Sequence, residues 1–367
     1  MSIKLVDILR DPHQSQGLSL NQWSELVSEA RFFSMLSQLR SVFTGAGIWD
    51  EIPNAAKTAI QSDIYTSKNQ RRLLEIEARE LSTIFTQANI TFTYLKGAAY
   101  QLMHLKPFTG RLMADIDVLV AKQDLAKAEQ ILLSNMWMSS SVTDYDDKFY
   151  REWSQEIPPM RHFERGTELD VHFNILPTIL KNAPDASYLL SQTQVLPDYP
   201  NASHLKPSAL TFHSMVHLFF ESEYHKGIRD LYDLKLLIEH FESDSFWQDL
   251  MALDQQARNG DCVYLALRYC HRVFGVQVPA EVSAHYEQYK YNEPVQSLID
   301  WSFIRVFCRY YPKHQLPLHS VAEAVLYWRG HLKRMPWYRL IPHLLKKSWR
   351  KIFEEEEKSI GSMFDEQ

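Results

Sequence analysis

The chain is poor in cysteine: Cys262, Cys270 and Cys308 are its only three among 367 residues. None stands in a CxxC spacing, so neither a disulfide framework nor a thiolate zinc cluster is expected, and a reducing compartment fits. No run approaches the roughly 18 apolar residues of a membrane-spanning helix. The opening stretch, MSIKLVDILRDPHQSQ, lacks the apolar core of a secretory signal, so a cytoplasmic protein is the expectation. Excess positive charge is also absent. The net charge is −6, and the chain as a whole is not built to coat nucleic acid. There is no internal repeat and no low-complexity segment. What is there is ordinary for a soluble globular protein, with 45% hydrophobic and 23% charged residues. The length suggests roughly two or three domains of about 100 to 200 residues each.

The character of the sequence changes along its length. Residues 1–87 read as helical, with Ser19 and Gln22 in a capping-box spacing and Leu74, Ile76, Leu81, Ile84 and Phe85 at helical intervals. From 88 to 178 strands and helices alternate. NITFTYLKG ends a strand at Gly97, AAYQLMHL reads as a short helix, and DIDVLV as the next strand. KQDLAKAEQILLSNM reads as an amphipathic helix, WMSSSV as a third strand, and MRHFERGTELDVHFNI as a hairpin turning at Arg165-Gly166. Residues 179–206, rich in Pro, Asn and Ser, read as a connector. Helical periodicity returns over 207–330, with Phe212, Met215, Val216, Phe219 and Phe220 on one stripe and Leu231, Leu234, Leu237, Ile238 and Phe241 on another. Residues 331–367 form a basic and then acidic tail. The expected fold class is α+β: a small mixed sheet flanked by N-terminal helices and a larger C-terminal helical domain.

RLMADIDVLV poses a physical problem. On a strand, Asp115 and Asp117 share one face while Ile116, Val118 and Val120 share the other. Two carboxylates about 6 to 7 Å apart repel by roughly 1 kcal/mol in water and by about 3 kcal/mol if partly shielded. Stability alone does not maintain that arrangement, so a basic side chain or a hard metal ion should sit between them. A third acid, Asp170, alternates in phase with Glu168 and His172 in ELDVHFNI. If the two strands are neighbours, three carboxylates converge. Such a set suits Mg²⁺ or Mn²⁺ and phosphoryl displacement; a lone D-x-D, by contrast, is a common solvated edge. Gly97 ends a strand and opens a helix, where backbone N–H groups can face an anion and Lys96 can add charge; it is equally a plain strand-to-helix turn.

These segments, LKGAAYQLMHLKPFTGRLMADIDVLV and HFERGTELDVHFNI, resemble the uncharacterised nucleotidyltransferase family of bacteria, within the DNA polymerase beta-like superfamily. The resemblance covers mainly residues 70 to 240. It implies that Asp115, Asp117 and Asp170 are Mg²⁺ ligands, with Asp170 also the base for an acceptor hydroxyl. Lys96 and Gly97 would lie at the nucleoside triphosphate, and Arg111 would steer phosphate. His172 would orient Asp170, touch substrate, or serve as a hydrogen-bonded structural histidine. The implied activity is transfer of a nucleoside monophosphate from an NTP to a hydroxyl of a small molecule, a peptide or protein, or a tRNA. The sequence departs from the superfamily pattern at one point: Ala98 stands where a serine or second glycine usually follows the glycine. A catalytically inactive binding or regulatory protein on the same fold is therefore the alternative.

Three further constellations stand outside that core. His213 and His217, with Glu221 a turn later, have helical metal-site spacing but lack the HExxH glutamate, and otherwise line a cleft or pack internally. Arg229, Asp230 and Asp233 open a helix and either meet the acceptor or hold the helical domain against the sheet. RGHLKRMPWYRLIPHLLKKSWRKIF carries eight Lys or Arg and no acid, interleaved with aromatics. It reads as a segment for a membrane surface, a partner or nucleic acid, or as a packed terminal helix with a solvated face.

Overall fold

The computed structural model describes residues 4–139, 144–180, 186–335 and 337–341. The N-terminal part is helical. α1 (Leu20–Phe32) starts at the Ser19–Gln22 capping box, in which the Ser19 hydroxyl accepts from the Gln22 backbone N–H and the Gln22 side chain accepts from Ser19 N–H. α2 (Asn54–Gln87) buries Leu74, Leu81, Ile84 and Phe85 on one face, whereas Ile76 points to solvent. α2 ends at Gln87, and the chain enters β1 (Phe92–Tyr94), the short α3 (Lys96–Leu102) and β2 (Ile116–Val120). α4 (Leu125–Ser134), β3 (Trp137–Ser139), α5 (Asp144–Trp153), β4 (Met160–His162) and β5 (Glu168–His172) follow. The β4–β5 hairpin turns through Gly166, whose φ of +68° is the left-handed conformation that glycine adopts freely.

The sheet has seven strands in the order β3-β4-β5-β2-β1-β7-β6. Its last two, β6 (Thr193–Val195) and β7 (Ala202–Leu205), lie in the stretch expected to be a connector. β7 runs parallel to β1, with Phe92 opposite Ala202, and is capped by antiparallel β6. TQV and ASHL are too short and polar to show strand periodicity on their own; pairing with β1 supplies what their composition lacks. β2 is central, antiparallel to β1 and parallel to β5, and all five of its residues are buried.

The longer C-terminal helices are α6 (Pro207–Phe220), α7 (Gly227–Phe241), α8 (Asp244–Ala257), α9 (Gly260–Phe274), α10 (Glu293–Arg309) and α11 (His319–Arg334). α6 is apolar nearly all round, as a helix enclosed by others must be, and packs against α7, α8, α9 and α11. The tail expected from residue 331 begins inside α11. Gly330 does not terminate that helix; it lets the helix backbone approach α6, because a Cβ there would stand 2.4 Å from the Glu221 carbonyl oxygen. The rest of the tail, from residue 342, lies outside the described residues.

Candidate active site

Core anchoring aims the acids. Ile116, Val118 and Val120 sink into the core, so strand alternation turns Asp115 and Asp117 to the opposite face. β5 lies parallel beside β2 with Asp170 across from Asp117 and His172 across from Leu119. Register partners on neighbouring strands point the same way, so the three acids and His172 share one face.

That face is crowded with charge. Lys96 sits just past β1 with a left-handed backbone, φ +45°, which residues with side chains adopt rarely. Its ammonium donates to Asp117 Oδ1 at 2.9 Å. His172 Nε2 meets the same oxygen at 3.0 Å, and its Nδ1 lies 3.2 Å from Glu156 Oε2. Glu156 arrives there through an antiparallel bridge to His172. Burial alone would raise the Asp117 pKa, but Lys96 and His172 hold it well below the usual carboxylate range. Burial would lower that of His172, yet Glu156 and Asp117 raise it. For Asp170 the balance goes the other way: burial, then Asp117 and Glu156, outweigh the pull of His172 and push its carboxyl up to about 7. Asp115 is raised by burial and then by Asp117. On the sheet face four carboxylates thus stand beside one ammonium and one imidazole, with Arg229 of α7 acting on Asp115 from the facing wall.

The acidic face forms one wall of a cleft of about 950 Å³. α6, α7 and α11 form the other, contributing His213 and His217, then Lys226, Arg229 and Asp230, then Tyr327, His331 and Arg334. His213 is buried, and its Nδ1 has no hydrogen-bond partner among the described residues. Burial, then Lys96 and His172, pull its pKa down to about 3, so it stays neutral. His217 lies 3.6 Å from Glu221, which also pairs with Arg334 at 2.5 Å.

The remaining residues singled out in the sequence tie the two walls together. Arg111 Nε donates to Asp233 Oδ2 at 2.7 Å and its Nη1 to the Leu112 carbonyl at 3.0 Å. This buried pair joins the segment before β2 to α7. Arg229 donates to Asp230 Oδ1 at 3.0 and 2.8 Å, and Asp230 lies 3.9 Å from Arg111. Gly97 is where Arg111 crosses α3: a Cβ there would stand 2.5 Å from Arg111 Nη1. Glu156 and Arg334 were not singled out in the sequence. Glu156, in SQEIPP, has no periodic context, and only its bridge to His172 places it. Arg334 was counted with the basic tail rather than with a cleft-lining helix.

The family described as uncharacterised nucleotidyltransferase matches residues 19–275. The chain belongs to this family. The matched span carries every strand of the sheet and helices α6 to α9 entire, and so both walls of the cleft except the α11 contribution. No curated protein matches the chain. Among solved structures, it is similar to the crystal structure of an antigenic nucleotidyltransferase-like protein from Paracoccidioides brasiliensis. The identity is 17%, over 55% of this chain and 97% of that one, with a TM-score of 0.32.

Nucleotidyltransferases of this kind imply a divalent metal, and the acidic face must be tested for it. Among the described residues no three His, Cys, Asp or Glu side chains are already gathered as a metal site. The donor chemistry nevertheless fits. The face offers hard carboxylate oxygens from adjacent strands, with Asp115, Asp117, Asp170 and Glu156 beside Lys96 and His172.

Proposed function

We propose that this protein is a nucleotidyltransferase that moves a nucleoside monophosphate from an NTP to a hydroxyl of an acceptor. The observation that carries this reading is the β2–β5 register, which sets Asp170 against Asp117 on the face that floors the cleft. Asp115, Asp117 and Asp170 would hold Mg²⁺ or Mn²⁺. When bound, the metal would neutralise charge on the transferring phosphoryl group and on the leaving pyrophosphate. The acceptor oxygen forms a bond to the α-phosphorus as the bond to the bridging β-oxygen breaks, and pyrophosphate departs with that electron pair. A carboxylate oxygen of Asp170 takes the acceptor proton. Lys96, at the mouth of α3, exchanges its contact with Asp117 for a triphosphate oxygen and so offsets the hydroxyl that Ala98 lacks. His172 stays on Asp117 and, braced by Glu156, fixes the carboxylate's orientation.

Incubating the protein with α-phosphate-labelled NTPs, Mg²⁺ and a metabolite and RNA extract tests this directly. Label should transfer to an acceptor identified by its mass shift, and Asp117→Asn should lower transfer by about 10³-fold or more, the equivalent of several kcal/mol of charge stabilisation. Transfer that survives this substitution would sink the reading.

One observation favours a second reading, a non-catalytic binding protein on the same fold. Asp117, the most buried of the three acids on the sheet face, is already paired with Lys96 and His172. Calorimetry separates the two. Binding of Mg²⁺ with an NTP supports the enzyme, and no heat at millimolar nucleotide supports the binding protein.

A further inference from the structure

On a helix as apolar as α6, each buried polar group needs a partner. Thr211 and Ser214 return their hydroxyls to the helix itself, donating to the carbonyls of Pro207 at 2.9 Å and Leu210 at 3.0 Å. His213 has no such outlet. It is only 4% exposed and it lines the cleft, yet its side chain makes no hydrogen bond among the described residues. A leucine or phenylalanine in its place would leave no polar atom unpaired.

The two ring nitrogens differ. Nδ1 is sealed from solvent and has no partner among the described residues. A neutral imidazole carries one N–H and one lone pair, and burial, then Lys96 and His172, keep this ring neutral. A sealed, unpaired N–H is costlier than a sealed, unpaired lone pair. The proton therefore belongs on Nε2, and Nε2 is the nitrogen left for the cleft. Lys96 reaches the same cleft from the opposite wall, and it is the charged group that acts on His213 most strongly. Its ammonium, too, can only donate. What fits between two donors is an acceptor, and beside an ammonium it is an anion. A metal ion or an amine would be repelled there. In an NTP the phosphate chain carries the anionic oxygens; the ribose and the base carry none.

We propose that His213 is a phosphate-binding residue, whose Nε2–H donates to an oxygen of the triphosphate that Lys96 meets from the opposite wall. The nucleotide is thereby clamped between the sheet and α6. The identity of the ligand rests on the nucleotidyltransferase reading above.

The test is calorimetry of the full chain with inorganic triphosphate and Mg²⁺, on the wild type, His213→Phe and His213→Gln. Phenylalanine keeps a ring and loses the N–H, whereas glutamine offers an amide N–H at a similar reach. His213→Phe should weaken triphosphate binding by about ten- to a hundredfold, and His213→Gln should recover most of the loss. Because His213 is buried, the wild type is also followed by ¹⁵N-histidine NMR. The signal that His213→Gln removes should be that of an Nε2–H tautomer, and it should move when triphosphate and Mg²⁺ are added. Undiminished binding by His213→Phe overturns the proposal. So does a His213 signal that stays still while triphosphate binds, and so does a wild type that binds no triphosphate. Affinity tests this clamp and label transfer tests the proposed function, so their failures are distinct. Transfer that is absent while His213→Phe still weakens binding leaves the clamp on a protein that binds nucleotide without reacting it. Transfer by a wild type whose His213→Phe variant binds equally well leaves the enzyme and removes the clamp.

Discussion

Two clusters of charge in this molecule are built on opposite plans. In the helical part, the Asp300 carboxylate accepts from Arg268 at 2.9 and 2.5 Å, Tyr269 at 2.8 Å, Gln296 at 3.0 Å and Arg272 at 2.5 Å. Burial alone would raise its pKa, but the bonds from Arg268, Tyr269 and Gln296 hold it at about 2. Every lone pair has a donor, and the cluster ties α9 to α10. On the sheet face the balance is reversed: four carboxylates stand beside Lys96 and His172, and burial, then Asp117 and Glu156, push Asp170 up to about 7. A saturated carboxylate serves the fold. A surplus of carboxylates in a cleft costs stability and is explained by what comes to bind there.

The largest expected effect separates these plans. Asp117→Asn should remove about 10³-fold or more of the transfer activity, and it costs stability too, because Lys96 and His172 lose the charge on their shared oxygen. Asp300→Ala should lower stability alone. It leaves Arg268 and the buried Tyr269 hydroxyl short of an acceptor, which costs about 1 to 3 kcal/mol in urea-unfolding free energy, and it leaves NTP binding unchanged. If Asp300→Ala weakened NTP binding as much as Asp117→Asn does, the division between the two clusters would be wrong.

Sequence patterning made some of this legible and hid the rest, for physical reasons. The D-x-D face was readable because strand alternation has a fixed period and Ile116, Val118 and Val120 declare which side is buried. Asp170 was readable for the same reason. That it stands beside Asp117 depends on β2–β5 pairing, a contact between residues 53 apart in the register, which local pattern does not encode. The hidden elements were those whose identity comes from their neighbours. β6 and β7 are strands because β1 has an open edge. Glu156 joins the site because one bridge holds it to His172. α11 continues through Gly330 because α6 presses against it.

Glu29 sharpens the comparison, since it is an under-compensated carboxylate far from the cleft. It is buried, accepts from Leu5 N–H at 2.7 Å and lies 3.3 Å from His314 Nε2. Burial pushes its pKa up to about 7, although the Leu5 bond opposes the rise. A carboxyl raised on folding favours the protonated form, so its contribution is complete below pH about 4.5 and is lost as pH rises through about 7. The expected loss across that window is about 3 kcal/mol. Unfolding free energy measured from pH 5 to 8 should therefore fall more steeply in the wild type than in Glu29→Gln. Identical slopes would show that Glu29 is ionised throughout, and surplus charge would then be special to the cleft.

The smallest effect tests whether the Arg111–Asp233 pair and the acidic face communicate. Gly97 lies between them: a methyl there would stand 2.5 Å from Arg111 Nη1 and 3.1 Å from Met113 Cγ. An arginine end normally swings aside at little cost, but this one is pinned by Asp233 and by the Leu112 carbonyl. Gly97→Ala must therefore shift either Arg111 or α3, at about 1 to 2 kcal/mol of unfolding free energy. If α3 yields, Lys96 moves with it, and NTP affinity falls along with stability. Should Arg111 yield instead, stability falls alone, and the Arg111–Asp233 pair is a strut whose strain does not reach Lys96. Measuring both quantities on this one variant decides which of the two elements is the stiffer.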